Sequence, residues 1–178
     1  MVGEIRDKET AGIAVNTALT GHLLLSTLHT NDAATTLPRL MDLGIEEYLV
    51  ASTVSLIIGQ RLVRKICQNC KEKTAATKIM KEKMAKTYFK KMPRADFYYR
   101  SKGCQSCDGK GFLGRISINE VLVADQKIKE SILKKERAET IENLAKEGGM
   151  TDMLEDGFGK VFSGLTTFEE IFRIMHEN

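Results

Sequence analysis

The chain has 178 residues, a formal net charge of +3, and 42% hydrophobic against 29% charged residues. That is enough apolar material for one large domain or two small ones. No run of ~18 apolar residues is present to cross a bilayer, and Met1 to Asp7 carries no signal-peptide pattern.

The opening "MVGEIRD" reads as the tail of a strand, ending at Val2, whose start lies upstream. The chain is therefore expected to be a piece of a longer one. An acidic residue delivered at the carboxyl end of a strand is how nucleotide hydrolases hold Mg²⁺ and orient the attacking water. Glu4 is placed for that role, although a strand followed by a charged loop is also commonplace. Lys8 to Leu19 has helical spacing, with Asp7 as N-cap and Gly21 as stop.

His22 to Leu28 is a continuous apolar run, as in a parallel strand covered on both faces. A right-handed crossover through the preceding helix sets this strand beside the Glu4 strand, so both end on the edge where open parallel sheets bind ligands. Glu4 and His29 are expected to converge there, with the hydroxyls of Thr27 and Thr30 beside them. A histidine at a strand end is more often structural; the pairing with Glu4 adds a phosphate-sensing reading. Asn31 or Asp32 can cap a helix running to about Leu43, stopped by Gly44 and kinked by Pro38. Glu46 to Ile66 reads as a further helical stretch.

Four cysteines form two Cys-x-x-Cys pairs, Cys67/Cys70 and Cys104/Cys107. With no secretion signal they read as metal before disulfide, and as a reducing cytoplasm. Two such knuckles make a four-sulfur tetrahedral site, the common structural zinc arrangement. The bland alternative is four unrelated thiols. The gap of about 33 residues between the pairs exceeds that of a minimal zinc ribbon, so the basic stretch from Lys71 to Arg100 is an insert. Its middle, Ala75 to Met92, looks like a surface helix. Its charge admits contact with anionic lipid; a solvated face is the plainer reading, and nucleic acid is not expected.

From Arg115, "RISINEVLV" alternates as a strand. Gln126 to Leu133, Ala138 to Glu147 and Thr151 to Phe162 read as short helices. A last helix opens on a capping box of Thr166 and Glu169.

Taken together and in order, "VGEIRD", "ALTGHLLLSTLHTNDA", "RLMDLGIEEYLVAS", "QRLVRKIC", "GFLGRISINEVL" and "DGFGKVFSGLTTFEEIFRI" closely resemble the carboxyl-terminal half of the type II secretion and type IV pilus assembly ATPases. The resemblance spans nearly the whole chain apart from the basic insert. It implies an α/β fold: an incomplete RecA-like parallel sheet with helices over residues 1–66, a tetracysteine zinc-binding subdomain over 67–114, and a mainly helical region over 115–178. It implies that Glu4 activates water and that His29 faces the γ-phosphate of ATP. Gly3, Arg6, His22 and Thr27 would be further nucleotide contacts, and Cys67, Cys70, Cys104 and Cys107 would be zinc ligands, as in assembly-type rather than retracting members. It also implies ATP and Mg²⁺ in a full-length parent, a homo-hexamer, and a place in the cytoplasm peripheral to the inner membrane against a platform protein. Some of the family's pattern is missing. No Gly-x-x-x-x-Gly-Lys-Ser/Thr loop occurs in these residues. The upstream acidic box and the arginine-supplying amino-terminal domain are likewise absent, and Ser117 stands where glycine is usual. The competing reading is a non-enzymatic, zinc-dependent module that binds protein or nucleic acid.

Overall fold

The computed structural model describes residues 1–75 and 97–176. The helix expected over Ala75 to Met92 lies, beyond Ala75, outside the described residues. The chain divides into two compact units, each assembled from separated stretches: Met1–Gly59 with Glu120–Asp152, and Gln60–Asn119 with Met153–Asn178.

In the first unit, α1 (Lys8–Leu19) forms as expected. The Asp7 carboxylate caps it, accepting the Thr10 N–H at 2.8 Å, and Ala11, Ala14 and Val15 face the core. The two stretches that α1 joins lie side by side and run the same way. Val2 N–H donates to the Leu25 carbonyl at 3.0 Å and Ile5 N–H to the Thr27 carbonyl at 2.9 Å. The register advances three residues on one side and two on the other, so the neighbours expected from sequence are present without a regular ladder. Their burial also differs from expectation. Leu24 and Leu28 pack against the core, whereas Leu23 is 87% and Leu25 61% exposed. One face of this apolar run is covered, not both.

Asp32 caps a turn, accepting the Thr35 N–H at 2.7 Å, before α2 (Thr36–Asp42) begins. That start places Pro38 in the first helical turn. No intrahelical bond is forfeited there, so the expected kink has no cause. Gly44, at φ +88°, ends the helix.

The helix expected over Glu46 to Ile66 is corrected: α3 (Glu47–Thr53) is short, and an eleven-residue strand, β1 (Leu56–Ile66), follows. Alternate β1 residues turn inward, Ile57 and Val63 among them, while Leu56, Ile58 and Leu62 are exposed; Ile66, at the strand's end, is buried out of that phase. β1 pairs with β4 (Phe112–Val123), and both strands contribute residues to both units. Asp125 caps α4 (Gln126–Leu133) through the Ile128 N–H at 2.9 Å, and α5 (Ala138–Glu147) follows. The core of the first unit gathers Leu37, Val50, Leu122, Ile128, Ile132 and Ile141.

The second unit holds the antiparallel pair β2 (Lys71–Ala75) and β3 (Phe97–Ser101), then α6 (Met153–Phe162) and α7 (Phe168–His176). Its separate core is Val63, Tyr98, Ile118, Phe158, Val161, Phe168 and Ile171. The cap of α7 falls one residue later than expected. Thr167 Oγ1 accepts the Glu170 N–H at 3.4 Å, while the Thr166 hydroxyl donates to the Arg64 carbonyl at 2.8 Å. Thr166 is occupied with β1, which leaves the capping to its neighbour.

Candidate functional site

Glu4 and His29 meet. Glu4 Oε1 lies 2.5 Å from His29 Nε2, and Glu4 Oε2 lies 2.7 Å from an Arg6 guanidinium nitrogen. Glu4 follows the first backbone bond between the two apposed stretches, and His29 follows the second, so the local topology brings them to one end. The hydrogen bond from Arg6 is the largest influence on the Glu4 carboxyl. Together with His29 it outweighs the opposing effect of burial and holds the group below the usual carboxylate range. Glu4 is therefore a charged carboxylate at neutral pH. Its side chain is 25% exposed, that of His29 85%, so the imidazole is the part presented outward.

The other residues singled out in the sequence take different places. The Thr27 hydroxyl donates to the Gly3 carbonyl at 2.8 Å, which stitches the two stretches together beside Glu4. His22 is engaged by the Thr20 hydroxyl at 2.9 Å through Nδ1. An open cleft of about 650 Å³ adjoins His29, with Arg39, Lys135 and Arg137 set against Asp42 and Glu136. Its lining carries both signs of charge.

The sequence reading missed Glu120. This carboxylate is 7% exposed, and its Oε1 accepts the Ala33 N–H, four residues past His29, at 2.6 Å. A signal existed. On "ISINEVLV" Glu120 falls in phase with Ile118 and Leu122, so the alternation that predicts a strand also turns an acid inward.

In the second unit the four cysteines converge, every sulfur lying within 4.8 Å of the others. Cys67 Sγ to Cys104 Sγ is 3.9 Å; Cys70 to Cys107 and Cys104 to Cys107 are each 3.8 Å. A tetrahedron with metal–sulfur bonds of about 2.3 Å has edges of about 3.8 Å, so the set has the size zinc requires. The turn geometry depends on glycines. Gly103 (φ +82°) and Gly111 (φ +77°) adopt the left-handed conformation, and a Cβ would collide with the Gly109 carbonyl at the first and with the Ser101 hydroxyl at the second. Backbone N–H groups of Cys104 and Gly111 donate to Cys107 Sγ at 3.2 and 3.3 Å. The Cys104 N–H foremost lowers the Cys107 thiol to about 7, whereas burial, aided by the neighbouring thiols, pushes Cys70 up to about 12. A cation at the centre is what would let all four ionise together.

A family model described as type II/IV secretion system protein matches residues 1–173. The type II secretion system ATPase E of Vibrio cholerae is 40% identical over 178 residues, which cover 100% of this chain and 34% of that protein. The type IV pilus assembly ATPase PilB of Thermus thermophilus is 39% identical over 175 residues, covering 96% and 19% respectively. The chain thus spans about a third or less of the length of these relatives. Among solved structures, the Yersinia pseudotuberculosis ATPase DotB superposes with a TM-score of 0.65 at 19% identity, over 100% of this chain and 37% of that one. The pilus retraction motor PilT with bound ADP gives 0.62 at 22% identity, over 97% and 38%. At such identities these two likenesses establish the α/β fold and nothing finer.

Proposed function

This chain belongs to the type II/IV secretion system protein family, and from that premise we propose that it acts as the carboxyl-terminal part of a hexameric motor ATPase of secretion or pilus assembly. The observation that carries the reading is the Glu4–His29 contact at one end of two bonded stretches. Glu4 accepts the proton of the attacking water, and Arg6 keeps its carboxylate ionised. His29, mostly exposed, faces the γ-phosphate and couples its presence to the carboxylate. Gly3, His22 and Thr27 complete the nucleotide side as supporting residues. ATP with Mg²⁺ is the substrate; the phosphate-binding loop comes from sequence beyond these 178 residues.

Zinc is the metal proposed for Cys67, Cys70, Cys104 and Cys107, where it supplies a structural cross-link with no open position for water. The motor acts on an inner-membrane platform protein from the cytoplasmic face, with the Lys71–Arg100 stretch available to anionic lipid. No helix among the described residues is long and apolar enough to cross a membrane.

The test uses a longer protein carrying this sequence. Glu4→Gln should lower kcat for ATP by ~100-fold or more while ATP still binds. His29→Ala should lower turnover with ADP affinity nearly unchanged. Full turnover in the Glu4→Gln protein would sink the proposal. The 178-residue chain by itself should show no hydrolysis above background.

A further inference from the structure

Glu120 is an expensive residue to bury. It stands on β4 in phase with the fully buried Leu122, and a carboxylate in such a place is costly unless hydrogen-bonded. Its neighbour across the first unit's part of the sheet makes room for it. A Cβ at Gly59 would lie 2.7 Å from Glu120 Oε1 and 2.8 Å from Cγ. Gly59 does not adopt the left-handed conformation, so space, not backbone freedom, is what this position requires.

One oxygen of the carboxylate serves a turn of the chain. Glu120 Oε1 accepts the N–H of Ala33, a residue 1% exposed. From there hydrogen bonds run back toward His29. The buried Thr36 hydroxyl donates to the Asp32 carbonyl at 3.2 Å and meets the Thr30 hydroxyl at 2.9 Å. Asp32 in turn holds the Thr35 N–H. Thr30 directly follows His29. The imidazole itself is 85% exposed, and packing does little to hold it. Where it points is therefore set by its contact with Glu4 and by the backbone that carries it, and that backbone is anchored at Thr30 to Thr36.

We propose that Glu120 is a positioning residue for His29: its buried carboxylate pins the turn after the histidine and so holds the imidazole against Glu4. The proposal rests on the catalytic reading of Glu4 and His29 given above. What matters in it is reach and an acceptor oxygen, not charge. Glu120→Gln keeps both the length and an acceptor, whereas Glu120→Asp keeps the charge and loses the reach.

The two substitutions separate those properties. In this chain, the Ala33 amide should exchange its proton at least about tenfold faster in Glu120→Asp, the worth of one ordinary hydrogen bond. In Glu120→Gln it should stay near the unsubstituted rate. The His29 ring resonances should move in the Asp variant and not in the Gln variant. In the longer ATP-hydrolysing protein, Glu120→Asp should lower kcat about tenfold or more at unchanged KM for ATP, and Glu120→Gln should restore most of it. Should Glu120→Asp fail to fold, Gly59→Ala crowds the same carboxylate and is read the same way. An Ala33 amide that exchanges equally in all variants, or His29 resonances indifferent to Glu120, overturns the proposal. Turnover that depends on Glu4 and His29 but not on Glu120 overturns it too. Turnover indifferent to Glu4 and His29 sinks the catalytic reading instead, and the exchange and resonance measurements then decide the placement of His29 alone.

Discussion

Glu170 is 1% exposed, yet its carboxyl titrates at about 2. Burial alone would raise it; hydrogen bonds from the guanidinium groups of Arg64 and Arg173 and from the Arg64 N–H reverse the sign. Because the folded value lies below the ordinary 4.5, the stabilisation is complete above that pH and disappears as pH falls from 4.5 toward 2. Glu170→Ala should cost ~2–3 kcal/mol in urea denaturation at pH 7, below the ~3–5 kcal/mol of a fully buried pair because the Arg64 side chain is half-exposed. It should also flatten the pH dependence of stability in that window. An unchanged acid profile would contradict this account. Glu4 follows the same sign with a different readout. Removing its principal partner, Arg6→Ala, should move the carboxyl titration upward, as followed by carbon NMR of the Glu4 side chain. The meeting of Glu4 with His29 was legible in sequence because two strands joined by one helix must end on the same side. The service of Glu120 to Ala33 was not, because the partners are 87 residues apart and only the folded chain brings them together.

Three helices formed where the sequence placed them. Lys8–Leu19, Gln126–Leu133 and Ala138–Glu147 match residue for residue. β1 did not. Between Val54 and Ile66 apolar residues are so frequent that helical and alternating spacing both fit, and pairing with β4 decides for strand. The metal knuckle is an element of a different kind, made by glycines as much as by cysteines. Gly111→Ala combines a left-handed φ, costly by ~1–2 kcal/mol for other residues, with a collision at Ser101. Zinc affinity measured against a competing chelator should fall at least about tenfold, one such increment of free energy. Affinity unchanged in that variant would mean the turn is not what shapes the site.

Each of the two units has its own apolar core, and the cysteines belong to the second. A chelator should therefore loosen Cys67 to Arg115 first, since a polar, lysine-rich segment has little apolar surface to hold it. Hydrogen exchange should rise there while α1 and α2 stay protected; simultaneous loss of both would contradict the division. Bare Leu23 and Leu25 lie beside the Glu4 stretch on the first unit. Apolar surface of that kind promotes association. Sedimentation of the chain should depend on concentration, and Leu25→Lys should weaken that dependence.

Motif order alone determined the family and the pairing of two Cys-x-x-Cys knuckles, because each motif needs specific residue types at short, local spacing. Local spacing likewise set most helix boundaries, through caps and stops that act within one turn. Only the tertiary structure decided that Leu56–Ile66 is a strand, that Thr167 rather than Thr166 caps α7, that one face of the His22–Leu28 run is bare, and that Glu120 lies beneath the turn after His29. Each of those depends on what a residue meets across the fold: a partner strand for β1, the Arg64 carbonyl for Thr166, the hollow at Gly59 for Glu120. Contacts of that range are set by packing, and the neighbouring sequence does not name the partner.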